Sequence, residues 1–302
     1  MAQRSPLALA ALASVAVPGL EPLTARALPG GDEVDAAQVV DDLGREWVVR
    51  APRTPSAAAL LEQEWRFLKT LTGRMPFAVP LVAGTVVMPD GGRAGVHRAL
   101  DGEPIDPAAL VPGPGLPAAL GRALAAVHDL PVQLVEDAEL PVYTAAEYRN
   151  RRLAEVDRAA ATGHVPAGLL QRWEHALEEA GAWRFTPCVV HGDLAPENVL
   201  VGDGRVSGVL GWGQTRVADP ADDLAWLAAG ASAEAVESVL EAYAHTRRDA
   251  PDRDLLRRAR LSGELAVARW LLHGTTTGDE AVVTDAVAML GELEAGIDGD
   301  GW

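Results

Sequence analysis

Residues 190–201 read Val-His-Gly-Asp-Leu-Ala-Pro-Glu-Asn-Val-Leu-Val, an apolar strand ending, a polar turn and a second apolar run. Asp193 stands in the turn and Asn198 follows five positions later, at the head of the next predicted strand. A spacing of five lets a short loop return so that both side chains face one cleft. A carboxylate and an amide in that order match the two needs of phosphoryl transfer, which asks for positioning and charge neutralisation more than covalent work. Asp193 would take the proton of an acceptor hydroxyl, and Asn198 would help hold magnesium on nucleotide phosphates. His191 would brace the turn through a backbone hydrogen bond. Considered alone, His-Gly-Asp is only a polar turn, and Asn198 only a turn residue. The residues beyond them change the reading. Gly202-Asp203-Gly204 is a hairpin composition, after which come residues 206–210, Gly211-Trp212, Asp219-Pro220 and Asp223-Leu224.

Working outward, residues 23–28, 37–40 and 47–50 read as short strands, separated by the turns 29–32 and 41–44. A helix is predicted over 55–71 with Leu60, Leu61, Trp65 and Leu68 on one stripe. Strands near 81–87 and 95–100 flank a turn at 90–92. After a Pro/Gly-rich connector at 107–117, helices are expected over 118–130, 145–161 and 167–181. Strands at 188–190, 198–201 and 206–210 interrupt them, and helix resumes after Asp219-Pro220 up to a Gly/Asp-rich tail. The expected fold class is α+β: a five-stranded lobe with one main helix over 1–100, and a mostly helical lobe over 101–302.

The chain of 302 residues is 48% hydrophobic and 23% charged, within the globular range. A net charge of −17 argues against a nucleic-acid partner. Lys69 is the only lysine, and Cys188 the only cysteine, so neither an intramolecular disulfide nor a cysteine zinc cluster can form. Arg4 and the apolar run 7–17 resemble a secretory signal, but Ser5-Pro6 is a good helix start and Pro18-Gly19 a stop. The run is too short to cross a bilayer. The expectation is a cytoplasmic protein with no membrane partner, its first helix packed on the first lobe.

These motifs resemble those of aminoglycoside phosphotransferase-family kinases and, within them, macrolide 2′-phosphotransferases. The resemblance runs over roughly residues 20–290. Its carriers are Glu46-Trp47-Val48-Val49-Arg50 with Pro52-Arg53, Gln63-Glu64-Trp65-Arg66-Phe67-Leu68, Met75-Pro76-Phe77-Ala78-Val79-Pro80, residues 190–200 and Arg216-Val217-Ala218-Asp219-Pro220. It implies a protein-kinase-like two-lobed fold and transfer of the γ-phosphate of GTP or ATP, with Mg2+, to a sugar hydroxyl of a macrolide-type antibiotic. Asp193 matches the family's base and Asn198 a magnesium ligand. Glu64 matches the helix carboxylate that orients the basic residue of the third strand, here Arg50. His97, Arg98, Ala99 and Leu100 match the nucleotide-binding hinge.

Two positions depart from the pattern. Arginine at position 50 keeps the charge of the usual lysine but is forked and bulkier. Gly211 stands where the family shows the aspartate that grips magnesium, and Asp219 is the nearest candidate to compensate. The alternative implied by Gly211 is a pseudokinase that binds nucleotide or drug without efficient transfer. On the acceptor side, Asp222, Trp226 and Trp270 are the candidate substrate-binding residues; Asp223, Glu234, Glu237, Glu241 and Tyr243 share the same region.

Overall fold

The computed structural model describes residues 3–29, 33–89 and 91–296. Residues 30–32 and 90 of the expected turns, and the tail from 297, lie outside the described residues. Contacts divide the chain into two compact units. The first holds residues 1–105, 133–140 and 197–215; the second holds 106–132, 141–196 and 216–302. The division therefore leaves and re-enters the chain several times, where the sequence suggested one boundary near residue 100.

The first unit is built on β1 (Pro22–Leu28), β2 (Val34–Asp41), β3 (Glu46–Pro52), β4 (Val82–Val87) and β5 (Arg93–Arg98). They form one antiparallel sheet in the order β1-β2-β3-β5-β4. Alternation along β3 buries Trp47, Val49 and Ala51 on one face and turns Arg50 to the other. Helix α1 (Pro6–Ala16), capped by the Ser5 hydroxyl, buries Leu9, Ala10 and Ala13 in the same cluster as Trp47, Val49 and Val96. It packs on this sheet as the Ser5-Pro6 reading implied. Its end approaches β4 so closely that a Cβ on Gly84 would lie 2.0 Å from the Ala16 carbonyl oxygen.

Helix α2 (Pro55–Thr70) starts at Thr54, whose hydroxyl accepts the Ala57 N–H. Its buried face is Ala57, Leu61, Glu64, Phe67 and Leu68. Leu60 is 49% exposed, which corrects the predicted stripe: one residue before Leu61, it points about 100° away. Trp65 is half-buried and lies flat against Gly95, where a Cβ would meet its ring at 2.4 Å. A short α4 (Gln133–Asp137) and the sheet of β6 (Glu103–Pro104), β8 (Val199–Gly202) and β9 (Arg205–Val209) complete the unit. The β8–β9 turn has Asp203 and Gly204 both at positive φ, as its composition asked.

The second unit is mainly helical: α3 (Leu116–His128), α5 (Ala145–Ala161), α6 (Ala167–Glu178), α7 (Ala225–Gly230), α8 (Ala233–Thr246), α9 (Leu255–Thr277) and α10 (Glu280–Ala295). Its core joins Tyr148, Trp173, Trp183, Phe185, Leu265 and Leu271. Through it runs β7 (Cys188–Val190), paired antiparallel with β10 (Arg216–Ala218). The three buried residues of β7 fix the point from which the His-Gly-Asp turn departs.

Candidate active site

The turn after β7 is held from below by Asp223, which is fully buried. Its Oδ2 accepts the His191 N–H at 2.7 Å, and its Oδ1 the Gly192 N–H at 2.8 Å. His128 Nε2 lies 3.1 Å from Oδ2, and His128 Nδ1 lies 2.8 Å from the Tyr243 hydroxyl. Burial opposes ionisation of Asp223, yet the His128 contact and the turn's amides hold its pKa below the ordinary carboxylate value. Gly192 sits at φ 84°, a conformation that glycine adopts without strain. His191 Nδ1 accepts the Asp193 N–H over a longer 3.4 Å, the bracing expected of that histidine. Asp193 itself is exposed.

Asp193 opens onto a cavity of about 1000 Å³ within the second unit. Asp222, Trp226 and Trp270 line it too, so the structure brings the expected base and the three expected acceptor-site residues to one cavity. Their roles differ. The Asp222 carboxylate is bound by Arg152 Nη2 at 2.7 Å, Arg216 Nη2 at 2.7 Å and the Ser262 hydroxyl at 3.1 Å, and it also accepts from the Tyr148 hydroxyl. Burial alone would raise its pKa, but the two guanidiniums hold it far below the carboxylate range. It is thus a charge-balanced part of the cavity floor. Trp226 is half-buried and donates to the Asp223 carbonyl at 3.0 Å. Trp270 is 40% exposed, stacked on His273 and bonded to Asp285. Tyr243 is core.

Asp219 cannot replace a missing metal ligand. It is 1% exposed, and both its oxygens face Arg258, at 2.7 and 3.1 Å.

In the first unit, Arg50 Nη1 donates to Glu64 Oε1 at 2.8 Å and Oε2 at 2.9 Å. Glu64 is buried and Arg50 partly open, so the pair is shielded from water on the carboxylate side. The residues expected at the hinge are spread over several tasks. His97 is buried with Nδ1 2.8 Å from the Arg98 carbonyl oxygen, and burial lowers its pKa, keeping the ring neutral. Arg98 lies over the Trp47 ring at 4.9 Å. The Ala99 N–H already donates to the Glu46 carbonyl at 3.0 Å. Leu100 is half-buried.

Asn198 ends a short 3-10 turn just before β8, and its carbonyl accepts the Leu210 N–H at 2.8 Å. Gly211, left-handed at φ 80°, lies directly against its side chain: a Cβ there would be 2.9 Å from both Oδ1 and Nδ2. Trp212 then anchors the segment, fully buried between Phe67 and Phe77 at ring distances of 6.1 and 6.5 Å. At Gly213 a Cβ would lie 3.6 Å from Glu64 Oε2. Asn198, Gly211, Glu64 and Arg50 are therefore neighbours along one short path. As a magnesium site this set is thin. No group of three or more His, Cys, Asp or Glu able to hold a metal occurs among the described residues, and Asn198 offers one neutral oxygen. The residues fit a metal carried by nucleotide phosphates, not one caged by protein.

Sequence reasoning missed Asp223 and His128 as supports of the Asp193 turn. The signal was present: a histidine on the apolar face of α3 must find a polar partner, and Asp223 stood in a motif already singled out.

Comparison with known proteins places the chain in a family. The model of the family described as "Phosphotransferase enzyme family" matches residues 24–261. The structure is similar to that of the apoenzyme of macrolide 2′-phosphotransferase MphH from Brachybacterium faecium, with a TM-score of 0.80 and 26% identity over 95% of this chain and 98% of that one. It shares its fold with the GDP and kanamycin complex of APH(2")-IIia, at TM-score 0.81 and 20% identity over 96% of this chain and 99% of that one. A curated relative, the uncharacterized protein YcbJ of Bacillus subtilis (strain 168), is 26% identical over 61% of this chain, and the match spans 62% of that relative's length. Among the described residues no helix is long and apolar enough to cross a membrane. With five antiparallel strands and α2 in one unit, and the His-Gly-Asp turn at the base of a helical other, the chain belongs to the phosphotransferase enzyme family.

Proposed function

We propose that the chain is a cytoplasmic small-molecule kinase that transfers the γ-phosphate of GTP or ATP to a sugar hydroxyl of a macrolide-type antibiotic. The observation that carries this reading is Asp193, exposed at a cavity of about 1000 Å³ on a turn whose amides are fixed by buried Asp223. The Asp193 carboxylate takes the proton of the acceptor hydroxyl as that oxygen attacks the γ-phosphorus. The bond to the bridging oxygen breaks, and the nucleoside diphosphate leaves. Arg50, oriented by Glu64, supplies positive charge for the nucleotide phosphates. Asn198 would contribute its amide oxygen to a magnesium ion bound with the nucleotide, which would neutralise phosphate charge.

The cavity favours a macrolide over a polycation. Its wall includes Ala225, Trp226, Val267, Trp270, Met289 and Leu293. Of its four acids, Asp222 is held by Arg152 and Arg216 and Glu264 by Arg172 at 2.5 Å, while Asp193 and Glu292 are exposed. A large apolar ring finds matching surface on that wall. The similarity to MphH points the same way.

The test is incubation of the purified protein with GTP or ATP, magnesium, a macrolide panel and kanamycin, read by mass spectrometry of the drug. A macrolide heavier by one phosphoryl group is expected. Phosphorylated kanamycin with unmodified macrolides overturns the acceptor class, and bound but unmodified drug overturns the reaction.

A further inference from the structure

Two consecutive acids of the 3-10 turn Pro220–Leu224 serve the Asp193 turn in different ways. Asp223 takes the His191 and Gly192 N–H groups directly. Asp222 works through Arg216, the first residue of β10, which lies opposite Val190 of β7. One guanidinium nitrogen, Nη2, donates to Asp222 Oδ2 at 2.7 Å and to the Gly192 carbonyl oxygen at 3.1 Å. The Tyr148 hydroxyl lies 3.4 Å from the same nitrogen. Arg216 thus holds the peptide group that joins Gly192 to Asp193.

That peptide group needs a hold. It turns on ψ of Gly192 and φ of Asp193, and glycine and aspartate both accept left-handed backbone more readily than most residues. Gly192 is already at φ 84°. The N–H side of the group is restrained weakly, because Asp193 N–H reaches His191 Nδ1 only at 3.4 Å, beyond the usual range. Asp223 fixes the two amides before it, and the carbonyl falls to Arg216. Without that contact the group is free to turn, and the Asp193 side chain swings with it. Arg216 is mostly buried and is not a wall residue of the Asp193 cavity, whereas Gly192, Asp193 and Asp222 are. Its effect on an acceptor therefore passes through the turn.

We infer that Arg216 is a positioning residue for the proposed transfer: by holding the Gly192 carbonyl it fixes the direction in which the Asp193 carboxylate meets the acceptor hydroxyl. The inference rests on the role proposed for Asp193. Arg216 is itself placed by an ordered cluster, since Arg152 Nη2 reaches both Asp222 Oδ1 and the Tyr148 hydroxyl at 2.7 Å. Such support matters because a displacement of about 1 Å at a reacting group can cost about 10²-fold in rate.

The test begins with Arg216→Met, which removes the donor at similar length and leaves Asp222 with Arg152, Tyr148 and Ser262. Its kcat per folded molecule is expected to fall about 10- to 100-fold, with both KM values within about twofold of wild type. Its crystal structure should show the Gly192–Asp193 peptide turned over or in two orientations. Arg216→Lys keeps a donor and the charge. Its kcat should return to within about fivefold of wild type, with the ammonium in reach of the Gly192 oxygen. A purely structural role would lower the thermal midpoint of Arg216→Met and leave kcat per folded molecule unchanged; that result overturns the inference. So does an Arg216→Met structure in which the peptide keeps the wild-type orientation. Should Arg216→Met not fold, the lysine variant decides, and wild-type kcat without contact to the Gly192 oxygen overturns the inference. If the wild-type protein phosphorylates no acceptor, the proposed reaction falls, and the peptide orientation in the crystal structures still decides whether Arg216 holds it.

Discussion

The two halves of the candidate machinery are constructed very differently. In the second unit the Asp193 turn rests on a buried relay, Tyr243–His128–Asp223, and beside it Asp222 is clamped by Arg152, Arg216, Tyr148 and Ser262. In the first unit the corresponding hardware is one ion pair, Arg50 with Glu64, and one amide, Asn198, lying against a glycine. Buried, hydrogen-bonded charges are costly unless every partner is present, so the second arrangement tolerates little change. The first relies on a ligand to bring most of the charge. Gly211, where the resemblance led one to expect a carboxylate, thus lies in the sparser unit, while the support of the proposed base is complete.

The largest expected effect breaks the contrast at its chemical end. Asp193→Asn should lower phosphoryl transfer by about 10²–10⁴-fold, the usual contribution of a general base. Because Asp193 is exposed, its thermal midpoint should stay close to wild type; a residual rate near that of wild type would remove Asp193 from the reaction. Next is Asp223→Ala, which leaves two turn amides and His128 without their acceptor. Denaturant unfolding should show a loss of about 3–5 kcal/mol, and kcat should drop with it. Unchanged stability would mean the relay is incidental.

Arg50→Ala isolates the sparser unit. It leaves the buried Glu64 carboxylate unpaired, at a cost of about 1–3 kcal/mol, and should raise the nucleotide KM more than it lowers kcat.

Gly211 sharpens the comparison further. Any side chain there must adopt φ 80° and push the Asn198 amide aside. Gly211→Ala should cost about 1–2 kcal/mol and reduce activity. Gly211→Asp carries the same strain but adds a carboxylate, so its activity relative to the alanine variant isolates the value of the absent ligand. Equal activity of the two variants would show that the site has no use for it.

The smallest effect is on pH. Asp222 and Asp223 both titrate below the ordinary carboxylate range in the folded chain. Between about pH 5 and 3 the unfolded chain takes up protons at these positions while the folded chain does not. Their stabilisation is therefore complete above that window, begins to fall within it and goes on falling below it until the folded carboxylates take up protons. Asp222→Asn should flatten the acid limb of a stability profile; an unchanged slope would assign the acid sensitivity elsewhere.

Much of this was legible in the residues. The strand over 47–50 and the helix from Pro55 were both read from the residues and are both present. Gly202-Asp203-Gly204 announced the β8–β9 turn, and the spacing of Asp193 and Asn198 marked both as candidates. The errors share one cause: sequence patterning shows that a polar residue is present, not which partner it meets. Asp219 looked available and is locked to Arg258, and Asp222, a candidate for substrate, is bound by arginines from two other segments. Leu60 fitted the stripe by composition yet faces solvent, because a helical stripe is decided within one residue.

By itself, the order of residues determined the elements, the strand–turn–strand carrying Asp193 and Asn198, and the resemblance to a phosphotransferase, because backbone preferences and short spacings act locally. Only the tertiary structure decided which acids are free and which are neutralised, and that Gly211 shelters the Asn198 amide. It also decided that Asp193 shares one cavity with Asp222, Trp226 and Trp270. Those outcomes depend on groups brought together from distant parts of the chain, whose burial sets the strength of every charge among them.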